Sequence, residues 1–421
     1  IIINFMKFKF IGNACGIFTG CKGTKILCDP WIVNGVFEGS WFHYPPLDTK
    51  IDDIQDVDAI YVSHIHPDHY DHRNFNFSKN IPIILLDEGG NFLKKNLVTN
   101  GYNNFIEIKN DESKEFNEFS LTMYKPFTGH LYEESLLGNL IDSSLVLRDQ
   151  KTTAINFNDN TPDIESCKKL KEKFKDIDLA MLNYNAAGSY PSCYQNLSED
   201  EKIKEHKRIL KRNFDHLCSI IPILKPKAVL PFAGAYVLGG KNFYKNKYLG
   251  TTTWDVCAKY LNDNLEDNSK VICLRENQTY DLLSQKSLEK YEKVNPDHMK
   301  KYIKGLKDIK YEYEHDEHPD VDELKKDLDL IKRKFSEKIK KLSLKIQSNV
   351  YLNIKDENIK IINGKNPDQK LICSMDLRLL KRIIHKKSHW NNAEVGGHIE
   401  FFRDPNKMDP DVHTSLSFFH L

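Results

Sequence analysis

The hexapeptide HIHPDH at residues 64–69 constrains this chain more than any other feature. It puts three imidazoles and a carboxylate into six positions, just after the apolar run AIYV at 59–62. That run predicts a buried strand, and core packing has no use for so many titratable groups at its exit. Metal chemistry does have a use for them. Neutral imidazole nitrogens suit zinc or iron, and a carboxylate adds a hard anionic ligand. Alternate residues leaving a strand point the same way, so His64 and His66 converge, while Pro67 stiffens the turn. Asp68 and His69 then face a second position beside the first. The plain alternative is a polar loop that happens to be rich in His.

Other segments share this chemistry in order. FKFIGNACGIFTGCKGTKILCDPW at 8–31 reads as a pair of strands ending in an Asp-Pro turn. FTGH at 127–130 and TAINFND at 153–159 follow downstream. Together with HIHPDH these segments resemble the metallo-β-lactamase superfamily. The resemblance implies an α/β fold, an αββα sandwich, and one or two divalent metal ions, zinc or iron. It implies one metal position from His64, His66 and His130, a second from Asp68 and His69, and Asp159 between them. Asp68 is the implied catalytic group, orienting a metal-activated water. Asp29 is a candidate to hold a ligand imidazole in the correct tautomer. Asn158 is a rival to Asp159, because Asn158-Asp-Asn160 also reads as a turn. Two departures stand out. LPFAG at 230–234 has no His where the family places its last one, and Asn13 stands where many relatives have His.

The stretches at 28–47, 157–159 and 230–236 resemble a subgroup that includes cytidine-monophosphate-N-acetylneuraminate hydroxylase. The C-x-H and C-x-x-H motifs of that enzyme's iron–sulfur domain are absent from this sequence. The expected function is therefore a metal-dependent hydrolase, acting on a small molecule of sugar or nucleotide-sugar type. The alternative is a non-haem iron oxygenase fed electrons by a separate redox partner. The aromatic segment WFHYPP at 41–46 and the loop YNAAGSY at 184–190 are candidates to border the cleft. His43 and His72 match no family position. Gly239-Gly240-Lys241 reads as a turn, with a phosphate cradle as the weaker reading.

The 421 residues suffice for two domains. Lys and Arg number 61 against 60 Asp and Glu, a net charge of +1, so no nucleic-acid partner is expected. The nine Cys are scattered without a C-x-x-C pair and read as reduced thiols of a cytoplasmic protein. No apolar stretch approaches the ~20 residues of a membrane span. Met6 is the expected natural start.

Strands are expected at 8–11, 25–28, 59–62, 81–86, 119–124, 144–147 and 153–157. Helix-then-strand units follow: a helix over 163–174, a strand at 178–182, then a helix opened by the capping box Ser198…Glu201 and ended by Pro222. The metal domain is placed at 6–282. Residues 283–348 form a charged helical connector, whose Leu324, Leu328, Ile331 and Phe335 give it an apolar face. A smaller α+β C-terminal domain at 349–421 loosely resembles a sterol-carrier module, with strands at 350–354, 359–362 and 371–374, a helix near 376–385 and a Gly-containing strand at 394–402.

Overall fold

The computed structural model describes residues 5–88, 91–127 and 142–421. Its β-rich runs assemble into two large sheets. The first has eight strands in the order Lys286–Ser287, Thr279–Asp281, Lys7–Gly12, Cys15–Thr19, Lys25–Cys28, Ala59–Tyr61, Ile83–Leu86 and Phe105–Ile108. The second has seven, in the order Lys270–Val271, Ala228–Pro231, Leu179–Leu182, Thr153–Asn158, Ser144–Arg148, Phe119–Tyr124 and Ser113–Phe116.

The strands run apolar without polar alternation because both faces of each sheet are covered. Ala59, Tyr61, Ile84 and Leu86 face inward and meet Leu145, Leu147 and Met181 of the other sheet. Their neighbours Ile60, Ile83 and Leu85 face outward onto Leu93 and Leu97 of the helix Phe92–Thr99. On the opposite side, Val146, Ile155 and Val229 pack beneath Leu170, Phe214, Leu217 and Ile221 of two helices, Ile164–Lys173 and Glu199–Leu224. Helix, sheet, sheet and helix follow in layers. This is the αββα sandwich.

Parallel pairing within each sheet aligns strand ends. Lys25–Cys28 runs parallel to Ala59–Tyr61, and Thr153–Asn158, Leu179–Leu182 and Ala228–Pro231 run parallel in sequence. Ligand groups in α/β folds gather beyond such carboxyl ends. Asp29, His64, Asp159 and Asn183 all lie within three residues of one.

A third, four-stranded sheet orders Glu357–Ile362, Asn349–Ile354, Lys370–Ser374 and Glu400–Asp404. The helix Val321–Lys341 turns Leu324, Leu328, Ile331 and Phe335 into the same core as Val350, Leu352 and Ile354, leaving its charges to solvent. This unit meets the sandwich through specific bonds: Trp41 Nε1 donates to the Val395 carbonyl (3.3 Å), and Phe401 N to the Cys193 carbonyl (2.9 Å). His398 Nε2 lies 2.8 Å from the Phe37 carbonyl.

Two expected elements come out differently. Pro222 does not end its helix, which continues to Leu224 before Lys225 turns left-handed (φ 45°). A proline in the last turn forfeits only its own hydrogen bond, and Ile220, Ile221 and Leu224 remain fully buried. The strand expected at 394–402 is instead the end of the helix Trp390–Val395, a Gly396-Gly397 turn, and the strand Glu400–Asp404. Gly397 adopts φ 75°, which breaks the extended run. Among the described residues no helix is long and apolar enough to cross a membrane.

Leu145 is fully buried between the two sheets, whereas Leu288 is 57% exposed. Leu145→Ala is expected to cost about 2–5 kcal/mol. Leu288→Ala should stay within about 0.5 kcal/mol. Urea denaturation followed by tryptophan fluorescence compares them.

Candidate metal centre

The strand Ala59–Tyr61 delivers the hexapeptide to the sandwich edge. There His69 N and Tyr70 N both donate to the His66 carbonyl, at 2.9 and 2.8 Å, closing a turn over Pro67 and Asp68. Ser63, one residue before the motif, governs ring orientation. Its hydroxyl lies 2.9 Å from His64 Nδ1 and 3.1 Å from His69 Nδ1. Asp29 supports the same arrangement: Oδ1 accepts the Ser63 N–H at 2.7 Å and Oδ2 stands 3.0 Å from His69 Nδ1. Both imidazoles are thus held from behind through Nδ1.

Their Nε2 atoms face inward. His64 Nε2 lies 2.9 Å from His66 Nδ1 and 3.9 Å from Asp159 Oδ2. His69 Nε2 lies 3.4 Å from Asp159 Oδ2 and 3.5 Å from Asp68 Oδ2, yet is buried with no hydrogen-bond partner. His64, His69 and Asp159 each bring one donor atom within 4.8 Å of the others. Two inward imidazole nitrogens, one of them unpartnered, beside two carboxylates form a donor set that fits one or two divalent cations.

The remaining candidates fall around this group. Asp68 is buried, and its Oδ2 accepts Asn13 Nδ2 at 3.1 Å. His66 offers Nδ1 to the cluster, while its Nε2 is 2.9 Å from Asn391 Oδ1 in the helix Trp390–Val395. His130 lies outside the described residues. Between the rivals at 158 and 159, the geometry separates the roles. Asn158 Nδ2 donates to the Ser143 carbonyl (3.1 Å) and the Tyr61 hydroxyl (3.3 Å), beneath the site. Asp159 faces the imidazoles, its Oδ1 held by Asn183 Nδ2 at 2.7 Å.

Sequence reasoning missed Ser63, Asp142, Asn183 and Asn391. Asp142 Oδ1 is 3.4 Å from His64 Nδ1. Ser63 was readable in principle as the residue joining strand to motif. Asn391 stands 325 positions from His66 and carries no local signal.

The electrostatics follow from burial. Burial alone lowers the His69 pKa, but the carboxylates of Asp68, Asp29 and Asp159 outweigh it and hold it well above the ordinary value. His64 is pushed well below by burial, then by the adjacent His69 and His66. Burial raises Asp159, and the nearby charge of His69, with the Asn183 hydrogen bond, more than reverses that. Asp142 goes up through burial and its neighbour Asp159.

Several loop readings change. Trp41 is fully buried and stacked on Tyr236, with centroids 3.4 Å apart, so it is core rather than cleft lining. Tyr184 is buried as well, and Tyr190 stacks against Tyr194. Gly239-Gly240 is no phosphate cradle. A Cβ on Gly240 would stand 2.4 Å from the Tyr311 ring, and Lys241 pairs with Glu314 at 3.1 Å. The loop at 230–234 reaches the site only indirectly: Ala235 N donates to Asn13 Oδ1 at 2.9 Å.

Residues 7–124 match the family model described as Beta-lactamase superfamily domain. A protein of Mycolicibacterium smegmatis named as a Rieske 2Fe-2S iron-sulfur protein is 33% identical over 197 residues. That match covers 45% of this chain and 36% of the relative. A similarly named Mycobacterium tuberculosis protein is 30% identical over 201 residues, with the same coverage. The match thus spans about a third of the length of these curated relatives. Among solved structures, one described as a possible metal-dependent hydrolase from Veillonella parvula covers 66% of this chain and 99% of its own, at 19% identity and TM-score 0.46. CmlA, a diiron β-hydroxylase from Streptomyces venezuelae, covers 66% of this chain and 54% of its own, at 14% identity and TM-score 0.44.

Asp29→Asn is expected to weaken metal binding by about 10–100-fold. Competition with a chromophoric chelator measures it, and unchanged affinity would show that the carboxylate does not support a ligand.

Proposed function

We propose that the protein is a metal-dependent hydrolase of the metallo-β-lactamase fold, acting on a small substrate of sugar or nucleotide-sugar type. The observation that carries this reading is the convergence of His64, His69 and Asp159 with each imidazole tied back through Nδ1. The proposed ligands are His64, His66 and His130 at one position, Asp68 and His69 at a second, and Asp159 shared. A divalent cation held there supplies Lewis acidity and a bound water acidified toward a pKa of ~7.

The chain's own residues do the rest. Ser63 and Asp29 fix ring orientation, so the ligand nitrogens are in place before a cation arrives. Asn183 holds Asp159 by one oxygen and leaves the other turned to the imidazoles. Asp68, oriented by Asn13, is the proposed proton acceptor for the attacking water. Burial of His64, Asp68 and His69 excludes bulk solvent and strengthens each electrostatic contact. The C-terminal unit, proposed as a separate domain at 349–421, holds His66 from outside through Asn391.

The Rieske names of the curated relatives favour a second reading, a non-haem iron oxygenase. These 421 residues hold no C-x-H or C-x-x-H motif, so under that reading electrons would come from outside them.

Protein purified without chelator is expected to contain stoichiometric, colourless zinc and to hydrolyse an activated ester or phosphodiester of a sugar. His64→Ala together with His69→Ala should abolish both metal and activity, with circular dichroism unchanged. Stoichiometric iron with reductant-dependent oxygen uptake would overturn the hydrolase in favour of the oxygenase.

A further inference from the structure

The helix Trp390–Val395 belongs to the C-terminal unit, yet its second residue touches the metal centre. Asn391 Oδ1 stands 2.9 Å from His66 Nε2, and among the described residues it is that nitrogen's one hydrogen-bond partner. The other ring nitrogen, Nδ1, faces His64 Nε2 at 2.9 Å. A histidine that gives a cation the lone pair of Nδ1 carries its hydrogen on Nε2, and that hydrogen needs an acceptor. The amide oxygen of Asn391 is such an acceptor, supplied from 325 positions away.

Polar bonds seat the chain on the sandwich on both sides of Asn391. Ser388 Oγ donates to Glu38 Oε2 (2.8 Å), and Ser189 Oγ donates to Glu394 Oε1 (3.2 Å). The Val395 carbonyl accepts Trp41 Nε1, and the Gly397 carbonyl accepts Lys245 Nζ (2.8 Å) and Asn242 Nδ2 (2.9 Å). Trp390 and Ala393 meanwhile sink into the core of the C-terminal unit, Trp390 edge-on to Phe419. Asn391 is thus held at His66 only while the two units are docked. A cleft of about 690 Å³ opens beside the contact, lined by Ile65 and Pro67 of the metal loop and by His389 and Asn392. Loop and helix are therefore not packed flush there, and the Asn391 amide bridges them.

We propose that Asn391 is a positioning residue through which docking of the C-terminal unit and cation binding at His66 reinforce each other. Docking delivers the acceptor that keeps the hydrogen on Nε2 and so frees Nδ1 to face the cation position. Coupling between two equilibria is reciprocal, so the joint between the units is tighter when a cation is bound. The inference concerns regulation of the metal centre and rests on the ligand role of His66 given above.

The test is the zinc affinity of the intact protein, measured by competition with a chromophoric chelator, beside amide hydrogen exchange of residues 388–401 with and without zinc. Asn391→Leu, close in size but without an acceptor, is expected to bind zinc about 10–100-fold more weakly. Asn391→Asp keeps an acceptor at the same place and should hold at least wild-type affinity. Zinc should slow exchange over 388–401 in the wild type and in Asn391→Asp, and lose that effect in Asn391→Leu. Unchanged affinity in Asn391→Leu, equal loss in both variants, or wild-type exchange indifferent to zinc overturns the proposal. Wild-type protein that binds no zinc sinks the metal reading as well, whereas zinc binding that survives every change at 391 sinks this inference alone.

Discussion

The buried imidazole of His69 stands among the carboxylates of Asp29, Asp68 and Asp159, at 3.0, 3.5 and 3.4 Å, the first two buried and the third 24% exposed. At an effective dielectric near 20, two unit charges about 4 Å apart interact by roughly 4 kcal/mol. Three acids so placed repel one another unless positive charge sits between them. A divalent cation held among them meets that need. The demand for a cation is therefore a property of the folded chain itself.

The sandwich exists in the form that keeps those acids together. Beneath the site a buried polar network bridges the two sheets. Tyr61 donates to the Ser143 carbonyl at 3.0 Å, Ser143 Oγ donates to the Ser63 carbonyl at 2.9 Å, and Asn158 Nδ2 reaches both Ser143 and Tyr61. Each member is satisfied, so the network holds the ends of Ala59–Tyr61 and Thr153–Asn158 in fixed relation. That relation carries His64 and Asp159 to the same point. Local stiffness alone would not do so, since the two residues are 95 positions apart and joined only through the packed core.

How much of this the sequence showed depends on how local the cause is. The strands at 25–28 and 119–124 were legible to the residue, because the short apolar run ILC and the alternating run FSLTMY are each bounded by polar turns. The capping box at Ser198 was equally plain. Asp29 read equally as a turn residue before Pro30 and as a carboxylate behind an imidazole, and it stands 3.0 Å from His69 Nδ1. What escaped was decided by tertiary contact. Nothing near Asn391 says that its amide meets His66. At Gly239-Gly240 the phosphate cradle was already the weaker reading, and only the fold reveals the Tyr311 ring that excludes it. Trp41 in an aromatic run could have lined a cleft or filled a core, and its stack on Tyr236 settles the matter.

The departures from the family pattern acquire a physical meaning in this frame. Asn13 stands where many relatives carry His, and its amide spans from the Ala235 N–H to Asp68. The loop at 230–234 carries no imidazole and meets Asn13 instead, Ala233 N donating to the Asn13 carbonyl at 3.4 Å. Asn13 therefore fills with a hydrogen bond the space that a third donor would need, and it draws on an oxygen of Asp68. Under the proposed ligand set, the position of His64 and His66 keeps its donors, while that of Asp68 and His69 has one imidazole fewer and one carboxylate partly engaged. Under that set the two positions are unequal, and the weaker one lies toward Asn13.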